Sequence, residues 1–281
     1  MNRSFESSPS RTAERIRQLD GYMAEHVLSR DDFVCSDFSN CRESHSGPFF
    51  EGQLHHVGAH YDLTMNGQPF RIAIVGQEYG NGPARVRRER RTADIVVETG
   101  MRRRFFTDGL HPARNPHMKG TTSVARLLFG RPPGGDHQLE FVSLGGQAVH
   151  MFEALALTNF LLCSAIASGQ GDAGSKRGKS SATMQRNCAR HFLSVLRILE
   201  PTVLIVQGKG VRGWLEPVVT EVRSAGPHLE HATINGSKIL IASFTHPSVP
   251  SRDNWGIDDR RPYLLEVVAP TVQLIHNTLL G

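Results

Sequence analysis

Two short stretches hold side chains able to move protons or steady charge. The first is "VGQEYG", residues 75–80, where Gln77 and Glu78 follow the apolar run "RIAIV". The second is "FTHPS", residues 244–248, where His246 and Ser248 follow the apolar run "ILIAS". A carboxylate in such a place stabilises developing positive charge or activates water, and an imidazole donates a hydrogen bond to a departing group. Taken alone, Glu78 equally fits a polar residue in a turn, and His246 a satisfied loop histidine. A third polar break, Asn159 in "LTNF", offers both a carbonyl and an amide, and so can read a donor and an acceptor together.

Four cysteines form a separate candidate. Cys35 and Cys41 lie in the polar stretch "DDFVCSDFSNCRES", where burial as small hydrophobes is not expected, and Cys163 and Cys188 lie far along the chain. Structural disulfides are disfavoured in a reducing cytoplasm. Two ligands from one loop and two distant ones make a four-thiolate site for zinc or for a [4Fe–4S] cluster, and the spacing does not choose between them.

Arginine dominates the positive charge. The chain of 281 residues carries a net +5. Residues 85–104 hold Arg85, Arg87, Arg88, Arg90, Arg91, Arg102, Arg103 and Arg104. Guanidinium forks match phosphate oxygens, so the cluster points to a polyanion, although a solvated basic loop has the same composition. No apolar run reaches the roughly 20 residues that cross a bilayer, and the N-terminus has no apolar signal region, so a cytoplasmic chain off the membrane is expected.

These residues need elements to position them. Apolar spacing predicts a helix over 11–29, strands over 53–62 and 69–75 joined by the turn "MNGQ", and a helix over 120–129 capped by Thr121 or Thr122. Further on it predicts a buried strand over 154–160, a loop over 167–181, and a helix over 183–199 stopped by Pro201. Buried strands running into loops follow over 202–208 and 237–248, then a helix over about 260–279 disturbed at Pro270. Alternating strands and helices imply an α/β fold with a parallel or mixed sheet covered on both faces, whose ligand sites gather at the carboxyl ends of the strands. "GQEYG", "TNFLLC" and "THPS" each stand at such an end. The expected organisation is an N-terminal helical segment (1–29) and one α/β domain (30–281) with a basic insertion at about 81–116.

The order "LTNFLLC", a basic loop, "NCARHFLSVLRILEPTVLIVQG" and "FTHPS" resembles the iron–sulfur-containing uracil-DNA glycosylases over roughly residues 30–275. The resemblance implies a three-layer α/β/α fold and a monofunctional DNA glycosylase. Such an enzyme flips a base out of DNA and hydrolyses its glycosidic bond, leaving an abasic site. It also implies that Cys35, Cys41, Cys163 and Cys188 hold a [4Fe–4S] cluster rather than zinc, although the C-x5-C spacing of the first pair is wider than the family's. His246-Pro247-Ser248 matches the family's second motif. Gly76-Gln77-Glu78-Tyr79-Gly80 blends two forms of the first, with Tyr79 in place of the family's proline. By the same carry-over, Glu78 or Gln77 serves the sugar or the water, His246 the departing base, Asn159 the flipped base, and His117 stacks on it.

Gly80 stands where strict uracil enzymes place a bulky tyrosine, which opens the pocket to uracil or a C5-substituted, damaged or modified pyrimidine. Arg85, Arg87, Arg88, Lys176, Arg177 and Arg252 are the expected DNA contacts of a protein acting as a monomer. Two further readings belong with this one: excision of hypermodified bases from phage DNA, and a non-catalytic or covalent DNA-binding member of the same fold.

Overall fold

A seven-stranded mixed sheet organises the computed structural model, which describes residues 3–27, 34–47, 49–51, 55–78, 114–165 and 179–280. In chain order its strands are β1 (His56–Val57), β2 (Ile72–Gly76), β3 (Ala156–Asn159), β4 (Val203–Gln207), β5 (Thr220–Gly226), β6 (Leu229–Ile234) and β7 (Ser237–Phe244). They lie in the order β5-β6-β7-β4-β2-β3-β1. The middle four, β7, β4, β2 and β3, are parallel, and antiparallel strands extend both sides. Gly76, Asn159, Gln207 and Phe244 therefore end their strands on one edge. The chain first builds outward from β2 to β3 and then returns to the other side of β2 with β4. Such a reversal opens a crevice at the carboxyl ends.

Period-2 alternation divides the parallel strands between two cores. Ala73 and Val75, Leu204 and Val206, and Ile239 and Ile241 face one side. Ile72 and Ile74, Val203 and Ile205, and Leu240 and Ala242 face the other. Helices α1 (Pro9–His26) and α4 (Ala182–Leu199) cover the first face, and α3 (Pro116–Leu128) and α6 (Ala269–Leu280) the second. Two short helices, α2 (Phe38–Glu43) and α5 (Lys209–Trp214), complete the set among the described residues. Helices thus lie on both faces of a mixed sheet, as the alternation of elements predicts.

Several boundaries differ from expectation for local reasons. Helix α3 begins four residues earlier than predicted. Asn115 accepts the Met118 N–H at 2.9 Å and Pro116 occupies the first turn, so Thr121 and Thr122 sit buried inside the helix instead of capping it. The turn Asn66-Gly67 forms with positive φ at both residues, but it joins the short strands Leu63–Met65 and Gln68–Pro69, and the longer run starts afresh as β2. Among the described residues of the strand expected over 53–62 only β1 is strand, whereas the stretch 237–248 runs from strand into loop after Phe244, as expected.

The N-terminal segment is not helix alone. Phe5–Ser7 pairs with Leu63–Met65 before α1 begins. Arg15 of α1 then reaches Asp62 at 3.0 Å and Glu200 at 2.8 Å. Near the C-terminus, Pro270 has no N–H for the carbonyl four residues back, and a π turn, Leu264–Val268, precedes α6. The hairpin Phe141–Leu144 with Gln147–His150, turning on Gly145-Gly146, was not anticipated.

Candidate active site

Gly76 ends β2 beside Asn159, its register partner on β3. A Cβ at Gly76 would lie 3.5 Å from Asn159 Oδ1 and 3.9 Å from His117 Cε1, so both side chains close over the bare backbone. His117, in the first turn of α3, stacks on His246 with ring centroids 4.9 Å apart and planes 14° apart. Asn159, His117 and His246, drawn from three distant parts of the chain, thus gather around Gly76 at the strand ends. One face of the His117 ring is thereby taken by His246.

The tautomer of His246 follows from its neighbour. The Ser248 N–H lies 3.3 Å from His246 Nδ1, and the Ser248 hydroxyl is 2.9 Å from the same atom. A backbone N–H only donates, so Nδ1 accepts and the proton of the neutral ring stands on Nε2. Burial lowers the pKa of His246, which favours that neutral form. The ring therefore presents a fixed N–H donor.

The "HPS" loop is held from both ends. Trp255, fully buried, donates from Nε1 to the Thr245 carbonyl at 2.8 Å, and the Thr245 hydroxyl donates to the Asp253 carbonyl at 2.8 Å. Pro247 packs against α3 at Gly120, where a Cβ would come within 2.6 Å of the proline Cβ and 3.0 Å of the Trp255 ring. Only a residue without a side chain lets the loop approach the helix that carries His117.

Glu78 stands on the same edge but is anchored separately from the imidazole pair. Its Oε2 accepts the Ala165 N–H at 3.3 Å, and it also hydrogen-bonds the Gln77 side chain. Desolvation outweighs both bonds and pushes its pKa up to about 8. Part of the residue still meets solvent. A carboxyl group poised this far above its ordinary range matches a base working near neutrality. The Gln77 carbonyl accepts the Leu161 N–H at 2.9 Å, which pins the turn after β2 to the turn after β3.

Two features escaped the sequence reading. Gln207 ends β4 fully buried, and its Nε2 donates to Thr121 Oγ1 at 2.9 Å on α3. It is the same polar punctuation of an apolar run that marked Asn159 and His246. Behind α3, Glu140 accepts from Arg114 at 2.9 Å and Arg126 at 2.7 Å, with His150 Nε2 at 3.0 Å, and all four are buried. The two guanidiniums and His150 hold Glu140 at about 2 against its desolvation. His137, Glu140 and His150 come close enough to suit an ion, yet the two arginines already supply the positive charge.

The cysteines gather on one side of the sheet. Cys41, expected in an open loop, is buried in α2, while Cys35 is half-buried. Asn187 Nδ2 lies 3.4 Å from Cys41 Sγ. The Cys188 thiol is hydrogen-bonded to the backbone of Leu162, next to Cys163. Burial pushes the Cys188 thiol up to about 12 and raises Cys41 and Cys35, each aggravated by a neighbouring thiol or by Asp37. Burial thus favours the protonated thiols, and a bound metal would be what holds them as thiolates. Among the described residues no three of the thiols come within 4.8 Å of one another. Cys35, Asp37 and His191 do lie that close together, and four thiols are a donor set that either zinc or a [4Fe–4S] cluster takes.

Tyr79, Gly80, Arg85, Arg87, Arg88, Lys176 and Arg177 lie outside the described residues. Arg252 is described, and its side chain is almost wholly exposed just beyond the "HPS" loop. No helix among the described residues is long and apolar enough to cross a membrane. No protein-family model matches the chain, and no curated protein is significantly similar to it.

Proposed function

We propose that the protein is a monofunctional DNA glycosylase that releases uracil or a modified pyrimidine from DNA. The observation that carries this reading is the convergence of Gly76, Asn159, His117 and His246 at the carboxyl edge of four parallel strands, with Glu78 two residues beyond Gly76. Glycosidic cleavage leaves positive charge on the sugar and negative charge on the departing base. Ionised Glu78 meets the first need or activates the water, and the Nε2–H of neutral His246 meets the second. Asn159 reads the base edge, and His117, stacked on His246, keeps the donor ring in place. By the sequence resemblance Gly80 takes the place of the bulky tyrosine that excludes C5 substituents, which accords with a modified pyrimidine as substrate.

In the same reading Cys35, Cys41, Cys163 and Cys188 hold a [4Fe–4S] cluster. When bound it would supply positive charge to the four thiolates and tie α2, α4 and the strand Cys163–Ala165 into one support. That strand also carries the N–H that holds Glu78, which links the cysteine site to the chemistry. Arg252 and the basic segments approach the phosphates of a DNA partner.

Glu78→Ala separates catalysis from binding. The variant is expected to retain affinity for an oligonucleotide while losing base release. Unchanged release in Glu78→Ala would remove Glu78 from the mechanism, and binding without release by the parent on every base would leave only a DNA-binding protein.

A further inference from the structure

Helix α4 brings more to the cysteine site than Cys188. On either side of Cys188 it presents Asn187 and His191, one helical turn apart. Asn187 Nδ2 lies 3.4 Å from Cys41 Sγ, and His191 Nε2 lies 3.7 Å from Cys35 Sγ. The far side of the His191 ring meets the Tyr22 hydroxyl of α1 at 2.8 Å from Nδ1. His191 is buried. Two of the four sulfurs thus each face a side-chain nitrogen from the same helix.

Proton positions follow from the sulfur. A metal-bound thiolate has no proton and only accepts. Nε2 of His191 must then hold the proton, the neutral ring accepts at Nδ1, and the Tyr22 hydroxyl donates to it. The Asn187 amide donates to Cys41. The three donors point the same way, toward sulfur.

We propose that Asn187 and the Tyr22–His191 pair are positioning residues for the metal centre, donating hydrogen bonds to Cys41 and Cys35. The proposal rests on the [4Fe–4S] reading given above. Hydrogen bonds to cluster sulfurs stabilise the more negative, reduced state and so raise the reduction potential. They also fix ligand orientation, and the loss of such outer partners typically weakens metal binding by about 10- to 100-fold. Through Tyr22, the N-terminal helix becomes part of the cysteine site.

The test compares protein purified without oxygen as the parent and as Tyr22→Phe, His191→Phe, His191→Gln and Asn187→Leu. The readouts are iron and sulfide per chain, the midpoint potential in a dithionite titration, and the rate of bleaching by an iron chelator. His191→Phe and Asn187→Leu are each expected to lower the reduction equilibrium about tenfold, which is about 59 mV for one electron. Both are also expected to bleach faster. Tyr22→Phe, which removes only a hydroxyl, shifts the potential less and in the same direction, and His191→Gln, which keeps an N–H donor, recovers most of the parental value. Parental potentials and bleaching rates in iron-loaded variants overturn the proposal. So does loss of iron stoichiometry confined to the His191 variants, because that makes His191 a ligand. A parent with zinc and no iron overturns the cluster reading itself, a result distinct from either of these.

Discussion

Replacing Glu78 by Gln is expected to make the protein more stable while removing its activity, and the gain depends on pH. The carboxyl is raised from 4.5 to about 8 by desolvation. The native state therefore keeps a proton that the unfolded chain releases above about pH 4.5. Where the native state binds more protons, stability falls as pH rises, here from about pH 4.5 until it levels off above about pH 8. For that shift the cost of the parental carboxyl is about 1 kcal/mol at pH 5 and about 3 kcal/mol at pH 7, as upper bounds because the partly exposed residue is screened by solvent. The amide carbonyl of Gln still accepts the Ala165 N–H, so the variant keeps the bond and loses the titration. Urea unfolding of parent and Glu78→Gln, measured at several pH values from about 5 to 9, isolates this group because all others cancel in the difference. The stability difference should widen in favour of the variant as pH rises. A constant difference, or one favouring the parent, would refute the claim that burial poises this carboxyl.

Base release should rise with pH toward a plateau above about 8, since Glu78 acts ionised and His246 is already neutral; a profile flat from about pH 6 to 9 contradicts the assignment. Losing the imidazole donor in His246→Ala should slow release by about 100- to 1000-fold, whereas Ser248→Ala, which keeps the backbone N–H to Nδ1, should slow it only a few-fold; equal effects in single-turnover assays would deny the fixed tautomer. Gly120→Ala drives a methyl into Pro247 and Trp255 and should lower stability by about 1–3 kcal/mol together with activity, as read by urea unfolding and the same assay. Glu140→Gln leaves the buried Arg114 and Arg126 without their counter-charge and should destabilise the fold by about 3–5 kcal/mol in urea titrations.

Much of the sheet was legible because its parallel strands are short apolar runs closed by polar residues. Asn159 and His246 stood out by that rule, and Gln207 obeys it equally in "LIVQG". Antiparallel additions were harder to see. Thr220–Ser224 are exposed on both faces of their strand, so its pairing with Leu229–Ile234 left little apolar pattern to read. The start of α3 was missed because apolar spacing begins inside the helix, whereas Asn115 and Pro116 fix its end by hydrogen bonding and a preset φ. The stack of His117 on His246 is a tertiary contact between residues 129 positions apart, and nothing local encodes it. Likewise Cys41 reads as polar-loop cysteine, although the short helix α2 turns it inward toward Asn187.

The central claim is that these strand ends cleave a glycosidic bond, and the released base tests it most directly. The parent protein is incubated with single- and double-stranded oligonucleotides carrying uracil and a panel of C5-substituted and damaged pyrimidines, and the free base and alkali-labile site are both measured. Release of uracil or a modified pyrimidine, with an abasic strand of matching amount and neither product from Glu78→Gln, is the predicted result. No free base from any oligonucleotide, with a parent that contains its metal centre and binds the DNA, would contradict it.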